Sequence, residues 1–172
     1  MPVSVDAATH PTPIGLYTPE ERRRRDESGW TTVQGVLAPL QFLVFLVSLG
    51  LVLRFVATGE GYVAATVSVV IKTIVLYVIM VTGSIWEKVV FGKYLFARPF
   101  FWEDVFSMLV LALHTAYLAA LATGAAIETQ IGIALAAYAS YLVNATQFVL
   151  KLRAARKQQA HAPVSDMVGA AP

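Results

Sequence analysis

Four apolar stretches, residues 33–57, 62–84, 105–123 and 131–150, constrain this chain more than any other feature of it. A helix that crosses a bilayer needs ~20 mostly apolar residues. Hydrocarbon offers no partner for backbone N–H and C=O groups, so such stretches fold as helices that satisfy their own backbones. The composition agrees: charged residues are only 14% of the 172 and hydrophobic residues 57%, whereas a water-soluble domain carries about 25% charged residues. The fold class predicted is all-α, an integral membrane four-helix bundle with a short N-terminal interfacial helix. One domain is expected over residues 17–157. Residues 1–16, with Pro2, Pro11 and Pro13, are expected to be a disordered tail, and residues 158–172 a flexible one.

The interfacial helix is written in its first residues. Thr18 suits an N-cap, Pro19 the first helical position, and Glu21 the place of a capping-box carboxylate. The helix should run to about Glu27 and stop near Gly29, laying Arg22, Arg23, Arg24 and Arg25 against anionic headgroups. Basic residues also set the orientation. Lys88, Lys93 and Arg98 lie between the second and third spans, and Lys151, Arg153, Arg156 and Lys157 follow the fourth. The two opposite loops hold only Arg54, at an edge. The positive-inside rule therefore places both termini and the middle loop in the cytoplasm. The polar, charged first thirty residues do not read as a cleavable signal, so the first span is expected to serve as the uncleaved insertion signal. With no cysteine, disulfides, thiolate metal sites and cysteine nucleophiles are excluded. The basic residues flank apolar segments without a nucleic-acid motif, so no nucleic-acid partner is expected.

Polar residues at membrane depth are costly and mark function by default. Gln34, Gln41 and Ser48 recur every seven residues on one face of the first span, near Pro39, which can kink that helix. Gln41 is either interhelical glue or a ligand group. Lys72 falls mid-span, too deep to snorkel, and needs an acidic partner, carbonyls, water or an anionic ligand. Glu103, Ser107, Val110, His114 and Tyr117 share one stripe of the third span. His114 is either a hydrogen-bonded interior residue or a functional one. Glu103 and Asp104 stand at that helix's N-terminus, where the dipole favours carboxylates. Ser140, Asn144 and Gln147 form a polar strip on the fourth span, with Tyr138 and Tyr141 close by. These groups from all four helices share the midplane and the cytoplasmic half, as in a bundle with an internal site. The other half is poor in ionisable residues, which argues against a transporter or channel subunit.

The middle loop, read from Trp86 to Asp104, is dense in aromatics and charge. It is either an aromatic belt anchoring helix ends or an apolar roof over a flat ligand.

Several strings carry a resemblance. They are Tyr17-Thr18-Pro19-Glu20-Glu21-Arg22-Arg23-Arg24-Arg25-Asp26 and Val33-Gln34-Gly35-Val36-Leu37-Ala38-Pro39-Leu40-Gln41-Phe42 in the first part of the chain. Thr82-Gly83-Ser84-Ile85-Trp86-Glu87-Lys88-Val89-Val90-Phe91-Gly92 closes the second span. Phe100-Phe101-Trp102-Glu103-Asp104-Val105-Phe106-Ser107-Met108 opens the third, with His114-Thr115-Ala116-Tyr117 beyond. From Tyr17 to Arg156 the chain resembles the 2-vinyl bacteriochlorophyllide hydratases of phototrophic bacteria. The resemblance implies a lyase that adds water across the C3 vinyl group of a chlorophyllide or bacteriochlorophyllide, giving a 1-hydroxyethyl group. It implies no redox cofactor, and candidate partners among other bacteriochlorophyll-synthesis enzymes. A non-catalytic pigment carrier or assembly factor is the alternative.

Hydrating an alkene requires an acid at the terminal carbon and a base for water at the inner one. Glu87, Glu103 and Asp104 are the candidates for that work. His114 is a candidate ligand to the substrate's magnesium or an orienter of water. Lys72, Lys88 or Arg98 can pair with the propionate, Gln41 and Asn144 can line the substrate site, and Trp86, Phe101 and Trp102 can pack on the macrocycle.

Overall fold

Thr18 opens the first helix as its side chain predicts. Its Oγ1 accepts from the Glu21 N–H (3.2 Å), and the Glu21 carboxylate accepts from the Thr18 N–H (2.8 Å). The computed structural model describes residues 16–160. The termini expected to form tails lie outside the described residues, apart from Leu16 and from residues 158–160, which are helical. Helix α1 (Pro19–Glu27) ends at Ser28, which in turn caps α2 (Gly29–Thr58) by accepting from the Trp30 N–H at 3.3 Å. One extended residue thus separates two helices. Helices α3 (Tyr62–Phe91), α4 (Phe101–Ala122) and α5 (Ile127–Ala160) follow, and a 3-10 turn over Arg98–Phe100 precedes α4. Among the described residues every regular element is helical.

Four helices are long and apolar enough to cross a membrane: Gly29–Thr58, Tyr62–Phe91, a segment over Arg98–Ala122, and Ile127–Ala154. Each exceeds its expected bounds at one end or both. Helix α3 continues through Trp86, Glu87 and Lys88, because nothing there breaks a helix until Gly92 caps it at φ 79°. The broad middle loop expected from the aromatic run is therefore short, Gly92–Ala97, between two helix ends. Pro39 does not end α2, which runs through it, although a proline removes one helical hydrogen bond.

Helix α2 packs along α3, and α4 along α5, as two antiparallel hairpins. Their turns are only a few residues long and rely on left-handed glycines, Gly59 (φ 74°) in one and Gly124 (φ 66°) in the other. Backbone contact between the hairpins is thinner. Large side chains fill that seam instead: Phe45, Leu76, Tyr117, Tyr138 and Tyr141 belong to one buried cluster. The outer surface is apolar, with Val36, Leu43, Val47, Val63, Ile74 and Val81 exposed. Polar groups lie within, which is the arrangement a lipid solvent favours. A second cluster joins Tyr17, Val90 and Phe100 at the basic end, where α1 docks on α3. Tyr17 stacks on Phe91 (5.7 Å) beneath the Arg25 guanidinium (4.7 Å).

Candidate active site

The four carboxylate and imidazole candidates, Glu87, Glu103, Asp104 and His114, are all buried inside the bundle. So are Lys72, Gln41 and Asn144. They gather at two levels, about 15 Å apart along α4 between Asp104 and His114.

At the basic end, Glu87 of α3 faces Asp104 of α4 closely enough for a hydrogen bond between their carboxyls. Two carboxyl oxygens can share such a bond only with one proton between them. Each acid also accepts a backbone amide of the middle loop: Asp104 from Phe96 (2.7 Å) and Glu87 from Ala97 (3.3 Å). The loop meets this demand by holding Phe96 at φ 59°, a left-handed conformation that side chains rarely adopt. Glu103, one residue before Asp104, instead forms an ion pair with Lys151 of α5 at 2.6 Å. The Lys151 ammonium also donates to the Pro99 carbonyl and lies 4.8 Å from the Phe100 ring centroid. One turn deeper, Asn144 Nδ2 donates to Ser107 Oγ (2.9 Å), tying α5 to α4, while Asn144 Oδ1 has no protein partner.

At the middle level, Lys72 is 0% exposed and its Nζ has no hydrogen-bond partner. No acidic partner reaches it among the described residues. Aromatic rings surround it instead: Tyr141 at 4.1 Å, Tyr138 at 5.6 Å and Phe45 at 5.8 Å from Nζ to the centroids. His114 sits beside this box, its ring 6.0 Å from Tyr138. His114 Nδ1 is 2.8 Å from the Val110 carbonyl. A carbonyl can only accept, so Nδ1 carries the proton, and in the neutral ring Nε2 keeps a free lone pair. Nε2 and both amide atoms of Gln41 are buried without a protein partner.

The aromatic roof expected over a flat ligand is divided. Trp86 turns inward, donating from Nε1 to Thr31 Oγ1 (2.9 Å) and packing edge-on to Phe91 and Phe100. Phe101 and Trp102 are exposed, Trp102 by 67%, and face away from the carboxylates. The reason is helical period. Residues two apart lie on opposite faces, so once Glu103 and Asp104 take the inward face, Phe101 and Trp102 must take the outward one. Phe101 and Trp102, the candidates to pack on the macrocycle, thus lie on the opposite face of α4 from the acids.

Two features escaped sequence reasoning. Lys151 reads as one more basic residue after a span, and only the structure shows it reaching Glu103. The aromatic box around Lys72 was half visible, since Tyr138 and Tyr141 stood out but Phe45 did not.

This fold and this interior define a polytopic membrane protein whose polar chemistry is enclosed by its helices and whose outer surface is left to lipid. The sequence profile of the family described as 2-vinyl bacteriochlorophyllide hydratase (BCHF) matches residues 17–154. The chain belongs to that family. It is 70% identical over 141 residues to the 2-vinyl bacteriochlorophyllide hydratase of Cereibacter sphaeroides, covering 82% of this chain and 88% of that one. It is 64% identical over 159 residues to the protein of the same name from Rhodobacter capsulatus, covering 92% and 93%. No solved structure matches.

Proposed function

We propose that this chain adds water to the C3 vinyl group of a bacteriochlorophyllide or chlorophyllide, and that the Glu87–Asp104 pair manages the proton. It is a carbon–oxygen lyase of bacteriochlorophyll synthesis. The observation that carries the assignment of roles is that Glu87 and Asp104, both buried, converge on adjacent backbone amides of the middle loop, those of Ala97 and Phe96. Such a pair keeps one acid protonated beside one that is not. The protonated member delivers its proton to the terminal vinyl carbon as the π bond breaks. The resulting cation at the inner carbon is delocalised into the macrocycle. Water then bonds to that carbon, and its surplus proton returns to the pair. Glu103 is less suited to proton delivery, because Lys151 holds it as an ion pair.

Substrate binding draws on both levels. The free lone pair of His114 Nε2 suits an axial position on the substrate's magnesium. A single protein ligand suffices there because the macrocycle supplies the others. Gln41 and Asn144 present unpartnered amide atoms toward the same interior. Lys72, or Lys88 or Arg98 at the basic end, pairs with the propionate. Trp86 is the aromatic residue best placed to meet the ring. The basic end faces the cytoplasm, with both termini, in the bacterial inner membrane.

The test is to delete the gene and restore variants. Vinyl-bearing pigments should accumulate in the deletion. Wild type should remove them, and Glu87→Gln and Asp104→Asn should not. Membranes containing wild type, given 3-vinyl pigment, should yield a product heavier by one water. A pigment carrier would bind the pigment without that gain.

A further inference from the structure

Among the described residues, the half of the bundle away from the basic end lacks buried carboxylates, yet a line of hydroxyl and amide groups runs through it. At its outer end, Tyr62 donates to Gln130 Oε1 (2.7 Å), and Gln130 Nε2 donates to the Ala125 carbonyl (2.8 Å) in the α4–α5 turn. One turn inward on α3, Thr66 Oγ1 faces the Tyr117 hydroxyl. Both atoms are buried, and neither meets hydrogen-bonding geometry with any protein group. Next come Ser68, Ser48 and Tyr138, linked at 2.7 and 2.5 Å. Their donors can be assigned. Ser68 gives its proton to the Ala65 carbonyl (2.7 Å), which can only accept. Ser48 must therefore donate to Ser68, and Tyr138 to Ser48. That leaves the Tyr138 oxygen free to accept at the level of Lys72 and His114. Lys72 Nζ and His114 Nε2, both fully buried and unpartnered, close the line.

Each buried polar atom left without a partner costs about 1–3 kcal/mol, and water is the ligand that can satisfy donors and acceptors of both kinds together. We propose that Tyr62, Thr66, Tyr117, Ser68, Ser48 and Tyr138 form a water-conducting column from the α4–α5 turn to a hydrated chamber at Lys72 and His114. A water at Thr66 and Tyr117 supplies the partner that neither hydroxyl finds among protein groups. If the hydratase reading holds, the column brings the second substrate to the reaction from the side opposite the carboxylates. A flat pigment reaching from the basic end to His114 covers the shorter approach and takes the place of water at Nε2.

The column itself is tested without pigment. The full-length protein in native-lipid nanodiscs is given brief X-ray pulses in oxygen-18 water, and side-chain labelling is read by mass spectrometry. Tyr117 and Tyr138 should label at least fivefold faster than lipid-facing Phe42. Labelling no faster than Phe42 overturns the proposal. Thr66→Val, nearly isosteric, should lower Tyr138 labelling severalfold while Tyr62 stays unchanged. Unaltered Tyr138 labelling in correctly folded Thr66→Val and Tyr117→Phe would show that water arrives from the basic end, which also overturns it. Hydration assays separate the two readings. A labelled column in a protein inactive on vinyl pigment refutes the hydratase reading alone. Wild-type turnover in a Thr66→Val protein with a dry Tyr138 refutes the column as the water supply.

Discussion

Replacing Lys72 by methionine should make the protein more stable and less active. Lys72 is fully buried, about 15 Å from the start of α3. A lysine at the centre of a span costs about 2.5–3.5 kcal/mol. Its compensation from protein groups is the aromatic box, and only Tyr141, at 4.1 Å, lies well inside the about 6 Å reach of a cation–π contact. Tyr138 and Phe45, at 5.6 and 5.8 Å, stand at its edge. A desolvated contact of this kind recovers about 2 kcal/mol. Methionine has a similar length, and its sulfur gains about 0.3–1.5 kcal/mol against aromatic rings. The balance favours Lys72→Met by about 1–3 kcal/mol. Reversible unfolding in bicelles, followed by steric trapping, measures the difference. The same variant should hydrate vinyl pigment at least tenfold more slowly, since a residue that destabilises its own fold is kept for what it does. A Lys72→Met protein less stable than wild type by 1 kcal/mol or more would refute this account of Lys72, because the rings and the chamber water together would then more than offset the cost of burying the ammonium.

Four further outcomes are expected. Glu87→Gln and Asp104→Asn, assayed separately for product, should each lose about 100-fold or more in hydration rate, within the range of acid–base catalysis, with insertion intact. Lys151→Met should cost about 1–3 kcal/mol by stranding Glu103, and the Glu103→Gln/Lys151→Met pair should cost less than the sum, as a double-mutant cycle will show. His114→Ala should lower affinity for magnesium pigment severalfold in an absorbance titration, and leave affinity for the magnesium-free pigment nearly unchanged. At Phe96, glycine should be tolerated within about 1 kcal/mol, whereas valine, β-branched at a positive φ, should cost more, read by thermal denaturation.

Much of this was legible from periodicity. The stripe Glu103, Ser107, Val110, His114 and Tyr117 is buried as a unit, because a helix in lipid has one face where costly groups can go. Gln41 and Ser48 are buried likewise. Helix ends were harder. Glu87 was read in a loop and lies on α3, since its neighbours are as compatible with helix as with an interface. Pairings across helices were the least accessible. Nothing in the spacing says that Lys151 reaches Glu103, that Glu87 meets Asp104, or that Ser48, Ser68 and Tyr138 link three helices, because relative rotation of the helices is fixed by packing. The outer half also looked plain in a count of ionisable residues. Its hydroxyls weigh little in hydropathy, yet they are what that half holds inside.

The pairing of α2 with α3 and of α4 with α5 bears on biogenesis. Each hairpin has a tight glycine turn and its own extensive backbone packing, so each can enter the bilayer as a unit while the chain is still being made. Glu87 and Lys72 arrive with the first unit, Asp104, His114 and Lys151 with the second. On the roles proposed above, catalytic competence is therefore a property of lateral docking and comes after insertion. Defects confined to the seam should yield protein that reaches the membrane in normal amount, resists extraction, and does nothing.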